Sequence, residues 1–274
     1  MKKSVRNIRK FKKEIYSAIG LMFLSFALIL IMPFNLGTFV FNGNLDSTPK
    51  SWGFQKHLGS FPTVPDKITS VVKENGGIWR GNEKEKVMYM TFDCGYELGY
   101  TPKILEALKK TDTKACFFVT GQMLTENPDL IKQMIAEGHI IGNHTVKHKS
   151  MAKSSESTIN DELNGLNEKY KTITGEKESM KYMRPPKGEY TTKALKIAKD
   201  LGYTTTFWSI AYVDWEDNNS LAKESAMKKV TEQFHNGAII LLHNTSRTNS
   251  EILEDLINKA KKDGYSFKPL TEFK

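Results

Sequence analysis

Five short apolar stretches decide how this chain folds: Tyr89-Met90-Thr91-Phe92-Asp93, Ile140-Ile141-Gly142-Asn143-His144, Tyr182-Met183-Arg184, Thr206-Phe207-Trp208-Ser209-Ile210 and Ile239-Ile240-Leu241-Leu242-His243. Each runs directly into a polar cluster. Reactive side chains gathered at the downstream ends of successive buried strands are how an α/β barrel builds an active site on one rim. The pattern indicates an enzyme.

Outward from these stretches, strand and helix patterns alternate from Lys86 onward. Thr101-Pro102 and Asn127-Pro128 each read as a cap followed by a first-turn proline, opening a helix after a strand. Ile159, Leu163, Leu166, Tyr170 and Ile173, spaced by four and three in turn, predict a longer helix closed by Gly175. Further helices are expected near 191–201, 220–235 and 249–263. Strands are expected near 87–93, 115–119, 140–143, 182–184, 204–210, 238–242 and 266–268, which makes seven. Repeated βα units imply a parallel sheet, open or closed.

The first 85 residues have a different character. Residues 1–14 hold seven Lys/Arg against the single Glu14, which is +6 of the formal +9. The other 260 residues carry only +3, so the basic pI gives no reason to expect a nucleic-acid partner. Residues 15–34 are twenty in a row without charge, dominated by Ile, Leu, Met, Phe and Ala. That length matches a bilayer core, and the basic flank keeps 1–14 in the cytoplasm with the rest outside. A cleaved signal peptide is the competing reading, but no small-x-small cleavage site follows the apolar run. Residues 35–85 are rich in Gly, Asn, Pro and Ser but include Trp52, Phe54, Phe61 and Trp79. They read as a stem that becomes an irregular cover over the catalytic domain, which occupies 86–274. Cys94 and Cys116 are the only cysteines, too few for a disulfide framework, and are expected as two independent thiols.

The polar clusters carry the chemistry. His144 and His148, four residues apart, would share one face of a helical turn and suit a divalent metal. Asp93 ends an apolar strand, where a carboxylate is costly unless it is paired or used. Arg184-Pro185-Pro186-Lys187-Gly188 is a rigid turn presenting a guanidinium and then backbone N–H groups able to stabilise an oxyanion. Asp214 is expected as the ionic partner of Arg184, Trp215 as an apolar wall for a sugar, and His243 as a proton-transfer group.

Together, Thr91-Phe92-Asp93-Cys94, His144-Thr-Val-Lys-His148, Arg184-Pro-Pro-Lys-Gly188, Asp214-Trp215 and Leu241-Leu-His243 resemble the polysaccharide deacetylase family, also called the NodB-homology or carbohydrate esterase family 4 domain. The resemblance covers roughly 86–270. It implies an α/β fold, a distorted seven-stranded (β/α) barrel, and metal-dependent removal of N-acetyl groups from amino sugars. It makes Asp93 the general base, His243 the general acid, His144 and His148 metal ligands and the Lys187 amide an oxyanion donor. Arg184 and Asp214 would tune the base, and Pro186, Gly188 and Trp215 would line the substrate site.

One position departs from the pattern: the family's second Asp is Cys94 here. Either its thiolate ligates the metal, zinc suiting such a set, or the thiol stays neutral and the two imidazoles hold an exchangeable ion. Within the family, Asp93-Cys-Gly-Tyr-Glu97-Leu-Gly-Tyr100-Thr101, Phe207 to Trp215 and Gly237 to His243 are most similar to the spore-cortex muramic-lactam de-N-acetylases. That likeness implies a membrane-tethered, extracytoplasmic enzyme acting on peptide-free N-acetylmuramic acid in peptidoglycan glycan strands. Two alternatives stand beside it: an N-acetylglucosamine deacetylase of vegetative peptidoglycan or another exported glycan, and an inactive wall-binding scaffold. A serine hydrolase finds no Gly-x-Ser-x-Gly elbow.

Overall fold

In the computed structural model, which describes residues 45–215 and 221–274, the chain enters through a short strand β1 (Lys50–Ser51) and a helix α1 (Asp66–Glu74). There follow β2 (Val87–Cys94), α2 (Thr101–Lys110), β3 (Ala115–Val119), α3 (Gly121–Glu126), α4 (Pro128–Ala136), β4 (Ile140–Asn143), α5 (Glu156–Thr174), β5 (Tyr182–Met183), β6 (Glu189–Tyr190), α6 (Thr192–Asp200), β7 (Thr204–Thr205), α7 (Lys223–Thr231), β8 (Ala238–His243), α8 (Arg247–Lys262) and β9 (Ser266–Phe267). The basic segment and the expected membrane span at 15–34 lie outside the described residues.

All seven expected strands form one sheet in the order β7-β5-β4-β3-β2-β8, with β9 against β2, and every pairing is parallel. The sheet curls. Beyond β7 the chain returns to the free side of β8, where Ser209 N–H donates to Ile239 O at 2.9 Å and Leu241 N–H to Ile210 O at 2.9 Å. Register then puts the downstream ends on one rim: Cys94 lies beside Val119, Val119 beside Asn143, Asn143 beside Met183, and Asp93 beside His243.

Residue alternation divides β2 between two environments. Met88, Met90, Phe92 and Cys94 join the main apolar cluster together with residues of α2, α4, α5 and α8. Val87 and Tyr89 join a smaller cluster with Cys116, Phe118, Ile239 and Leu270. Burial of each such large side chain contributes about 1.5–3 kcal/mol. The two cysteines are free, as expected from strand register: Cys116 pairs with Thr91, three residues upstream of Cys94.

Three local expectations change. Thr101 is not the cap of α2 but its first residue; Tyr100 takes the cap position, and Thr101 N–H donates to Glu97 Oε1 at 3.1 Å. α3, whose N-cap Thr120 accepts from Met123 N–H, was not expected from the sequence. The segment after residue 45 is more than an irregular cover, and the described residues before and after position 85 belong to one compact unit. α1 contributes Ile68, Val71 and Val72 to a second cluster with Trp52, Val64, Tyr190, Leu195 and Phe207. Those apolar residues at i, i+3 and i+4 after Pro65 and Asp66 are a readable helix signal.

Gly142 on β4 is a packing requirement. A Cβ there would fall 2.5 Å from Phe118 Cδ1 and 3.3 Å from Cys116 Sγ. Gly142→Ala should lower unfolding stability by about 1–3 kcal/mol through overpacking, read as a lower denaturant midpoint with an unchanged m-value. An unaltered midpoint would show that Phe118 has room to retreat.

Candidate active site

Arg184 follows β5 and is fully buried. A guanidinium is tolerated there because its donors are matched: Nε–H to Thr206 O at 2.9 Å, Nη2–H to Thr91 Oγ1 at 2.9 Å and Nη1–H to Asp93 Oδ1 at 2.7 Å. It also lies over the Phe118 ring, 4.2 Å from the centroid. Asp93 is itself buried, which would raise its pKa, yet the Arg184 charge and the neighbouring imidazoles pull it below the ordinary carboxylate value. Asp93 is therefore an anion at neutral pH, held with one oxygen on Arg184.

Its other oxygen, Oδ2, is 3.5 Å from His144 Nε2. His144 Nδ1 lies 2.9 Å from Arg184 O, a carbonyl that can only accept, so the proton sits on Nδ1 and the Nε2 lone pair faces the carboxylate. His148 stands beside it, with ring centroids 4.8 Å apart. Burial depresses both imidazoles; His148 is pushed down to about 4, with the His144, Lys187 and His243 charges acting in the same sense against Asp93. Both rings are thus neutral and able to offer lone pairs.

A helical turn does not bring this pair together. The chain from 144 to 150 is a loop, with Thr145 at φ 67° and His148 at φ 53°. Asn143 Oδ1 accepts from Thr145 N–H at 2.9 Å and Glu162 Oε2 from Lys147 N–H at 2.6 Å, which fixes the loop between β4 and α5.

Cys94 does not join them. One residue on from Asp93, it belongs to the main apolar cluster, is fully buried, and its thiol is pushed far up by burial and then by the Asp93 charge. Among the described residues, no three His, Cys, Asp or Glu side chains are grouped as a closed metal site. The two neutral imidazoles are the donors available to a divalent ion, and the buried, neutral Cys94 thiol does not fit as a further ligand.

The expected Arg184–Asp214 pair is absent. Asp214 pairs instead with His243, Oδ1 lying 2.7 Å from Nδ1, while Oδ2 accepts from the His243 N–H at 2.8 Å and from Asn249 Nδ2–H at 2.6 Å. Arg184 points inward to β2, whereas Asp214 sits in the loop beside the end of β8. Asp214 consequently acts on His243 and not on Asp93. Burial lowers the His243 pKa, but the adjacent Asp214 charge outweighs it and lifts it above the ordinary imidazole value. Trp215 is half exposed, with its ring 5.4 Å from that of His243.

The Pro185–Gly188 turn closes the opposite side, with Pro186 and Gly188 buried and the Lys187 side chain exposed. Lys187 stands at φ 59°, and three of the four non-glycine residues with positive φ among the described residues (Thr145, His148 and Lys187) flank the site. Such strain gathers where surrounding structure imposes a functional backbone geometry.

Two supporting residues receive no role from the sequence. Thr91 lies two residues before Asp93, hence on the same strand face, and that spacing is a usable signal. Asn249 orients Asp214; its position three residues after Ser246, the N-cap of α8, fixes it on the first helical turn beside His243.

Residues 80–206 match the polysaccharide deacetylase family. Over 225 residues the chain is 44% identical to the peptidoglycan-N-acetylmuramic acid deacetylase PdaA of Bacillus subtilis, covering 82% of this chain and 85% of that protein. A peptidoglycan-N-acetylglucosamine deacetylase of Bacillus cereus is 35% identical over 198 residues, covering 71% of this chain and 91% of the other. The solved structure of Bacillus subtilis PdaA, a family 4 carbohydrate esterase, superposes with a TM-score of 0.81 at 43% identity, covering 84% of this chain and 98% of that one. The chain belongs to the polysaccharide deacetylase family, the family 4 carbohydrate esterases.

Proposed function

We propose that this protein hydrolyses the N-acetyl group of N-acetylmuramic acid residues that have lost their peptide, in peptidoglycan glycan strands, on the route to muramic δ-lactam in spore cortex. The observation that carries the chemistry is the pairing of Asp93 with His243 across adjacent parallel strands, one driven toward its anion and the other toward its cation. A base and an acid with pKa values pushed apart, flanking one rim, are the two proton handlers that amide hydrolysis needs. The substrate reading is supported by the 44% identity to PdaA. The apolar run at 15–34 with its basic flank supports a single-pass anchor that keeps the catalytic unit outside the cytoplasm.

His144 and His148 would hold a divalent ion, zinc by its preference for imidazole nitrogen, and when bound it would polarise the acetamide carbonyl and the attacking water. Asp93 takes the proton from that water. The Lys187 amide donates to the carbonyl oxygen as it becomes tetrahedral and negative. His243, held through Nδ1 by Asp214, presents Nε2 to protonate the departing amine, so acetate and the free amino sugar result. Trp215 offers a wall for the sugar face beside His243.

Mass spectrometry of peptide-stripped peptidoglycan incubated with the enzyme should show loss of acetyl from muramic acid, suppressed by a chelator and restored by zinc. Acetyl loss from glucosamine alone would overturn the substrate assignment, and full turnover in chelator the metal. Asp93→Asn should cut kcat by about 10²–10⁴. It should also cost about 3–5 kcal/mol in unfolding stability, since it strips the buried Arg184 of its counter-charge; retained turnover would exclude Asp93 as base. The alkaline limb of the pH–kcat profile belongs to His243, which works only while protonated. Asp214→Asn removes the charge that raises its pKa, so that limb should move to lower pH, with kcat at pH 8 reduced at least about tenfold. A limb that stayed in place would assign it to another group.

A further inference from the structure

The turn that aims the Lys187 amide is not held by the parallel sheet alone. Lys187 and Gly188 are left-handed in succession, at φ 59° and 65°, and a non-glycine residue remains there only when its surroundings impose it. Those surroundings come from residues 50–52. β1 pairs antiparallel with β6, Lys50 opposite Tyr190 and Ser51 opposite Glu189, and Trp52 N–H donates to Gly188 O at 2.8 Å. A Cβ on Gly188 would fall 2.8 Å from the Trp208 ring and 3.1 Å from Trp52 Cβ, so the turn backbone is pressed directly onto both tryptophans.

The Trp52 side chain reaches a second element of the site. Its indole N–H donates to Trp208 O at 2.9 Å, and its ring stacks on Phe207 with centroids 4.4 Å apart at 17°. On that same segment, Thr206 O accepts from Arg184 Nε–H at 2.9 Å, and the Trp208 ring lies 5.6 Å from the guanidinium. One buried residue therefore links the turn bearing the oxyanion amide, which it holds through its backbone N–H, to the segment that anchors the partner of Asp93, which it holds through its indole.

We propose that Trp52 is a positioning residue for deacetylation, and that the strip carrying it, between the expected membrane anchor and the sheet, completes the active site rather than serving as a spacer. This rests on the deacetylase reading above. An oxyanion donor acts only in the transition state, so displacing it lowers kcat and leaves KM alone.

The test compares full-length wild type with Trp52→Phe, Trp52→Ala and Ile131→Ala, the last a core truncation on α4 remote from the rim. Trp52→Phe, which keeps a stacking ring but loses the indole donor, should fold with a near-native thermal midpoint. Its kcat should be about tenfold lower and its KM within about twofold of wild type; Trp52→Ala should lose about 10² in kcat, of the order seen when one oxyanion donor is displaced. Ile131→Ala should lower the thermal midpoint while folded enzyme retains wild-type kcat. Amide exchange of residues 188–190 should accelerate selectively in Trp52→Ala. Wild-type kcat in folded Trp52→Phe and Trp52→Ala, or the same kcat loss in Ile131→Ala, would overturn the inference. Unchanged exchange at 188–190 in Trp52→Ala would overturn the brace whatever the activity. A wild type inactive on every acetylated glycan would instead sink the deacetylase reading, leaving exchange to judge the brace.

Discussion

A guanidinium buried without exposure is the constraint around which this site is arranged. Arg184 has left water, and the loss is offset only because Asp93, Thr91 and the carbonyl of Thr206 accept from it and Phe118 lies beneath it. That requirement keeps Asp93 ionised, and the Arg184 carbonyl orients His144 so that its lone pair faces the carboxylate. Asp93, the His144 imidazole and the start of the Pro185–Gly188 turn are thereby tied to a single residue.

The His243 side is built separately. Asp214 uses one oxygen on the His243 ring and the other on the His243 backbone and Asn249, so imidazole orientation and pKa are set by one carboxylate. The two halves meet because β2 and β8 pair in parallel with Asp93 opposite His243. Neighbouring strands lie about 4.8 Å apart, which is the scale on which two groups can serve one acetamide. His144 and His148 remain neutral, while the Cys94 side chain turns from the strand end into the core.

Much of this was legible beforehand. The seven strands were expected close to where they lie, because buried parallel strands flanked by capped helices leave a strong apolar pattern. The candidate site residues are the polar groups that end those strands. What misled was inference about partners: Arg184 with Asp214 is plausible by charge, but strand ends select partners by direction, and Arg184 points inward. The helical turn assumed for His144 and His148 does not form: Thr145 and His148 take positive φ, and Glu162 captures the Lys147 N–H that a helix would have bonded to residue 143. The strip around Trp52 looked irregular since its two-residue strand has no period to read, although α1 within it did carry a helical spacing.

By itself, the amino-acid sequence determined the alternation of strand and helix, the identity of the reactive groups and the charge asymmetry of the amino terminus, since these depend on local periodicity and residue chemistry. Only the tertiary structure decided which carboxylate answers which cation, that Cys94 faces the core, and that Trp52 lies behind the Pro185–Gly188 turn. Each of those turns on the curl of the sheet and on contacts between residues as many as 156 positions apart, which no local pattern encodes.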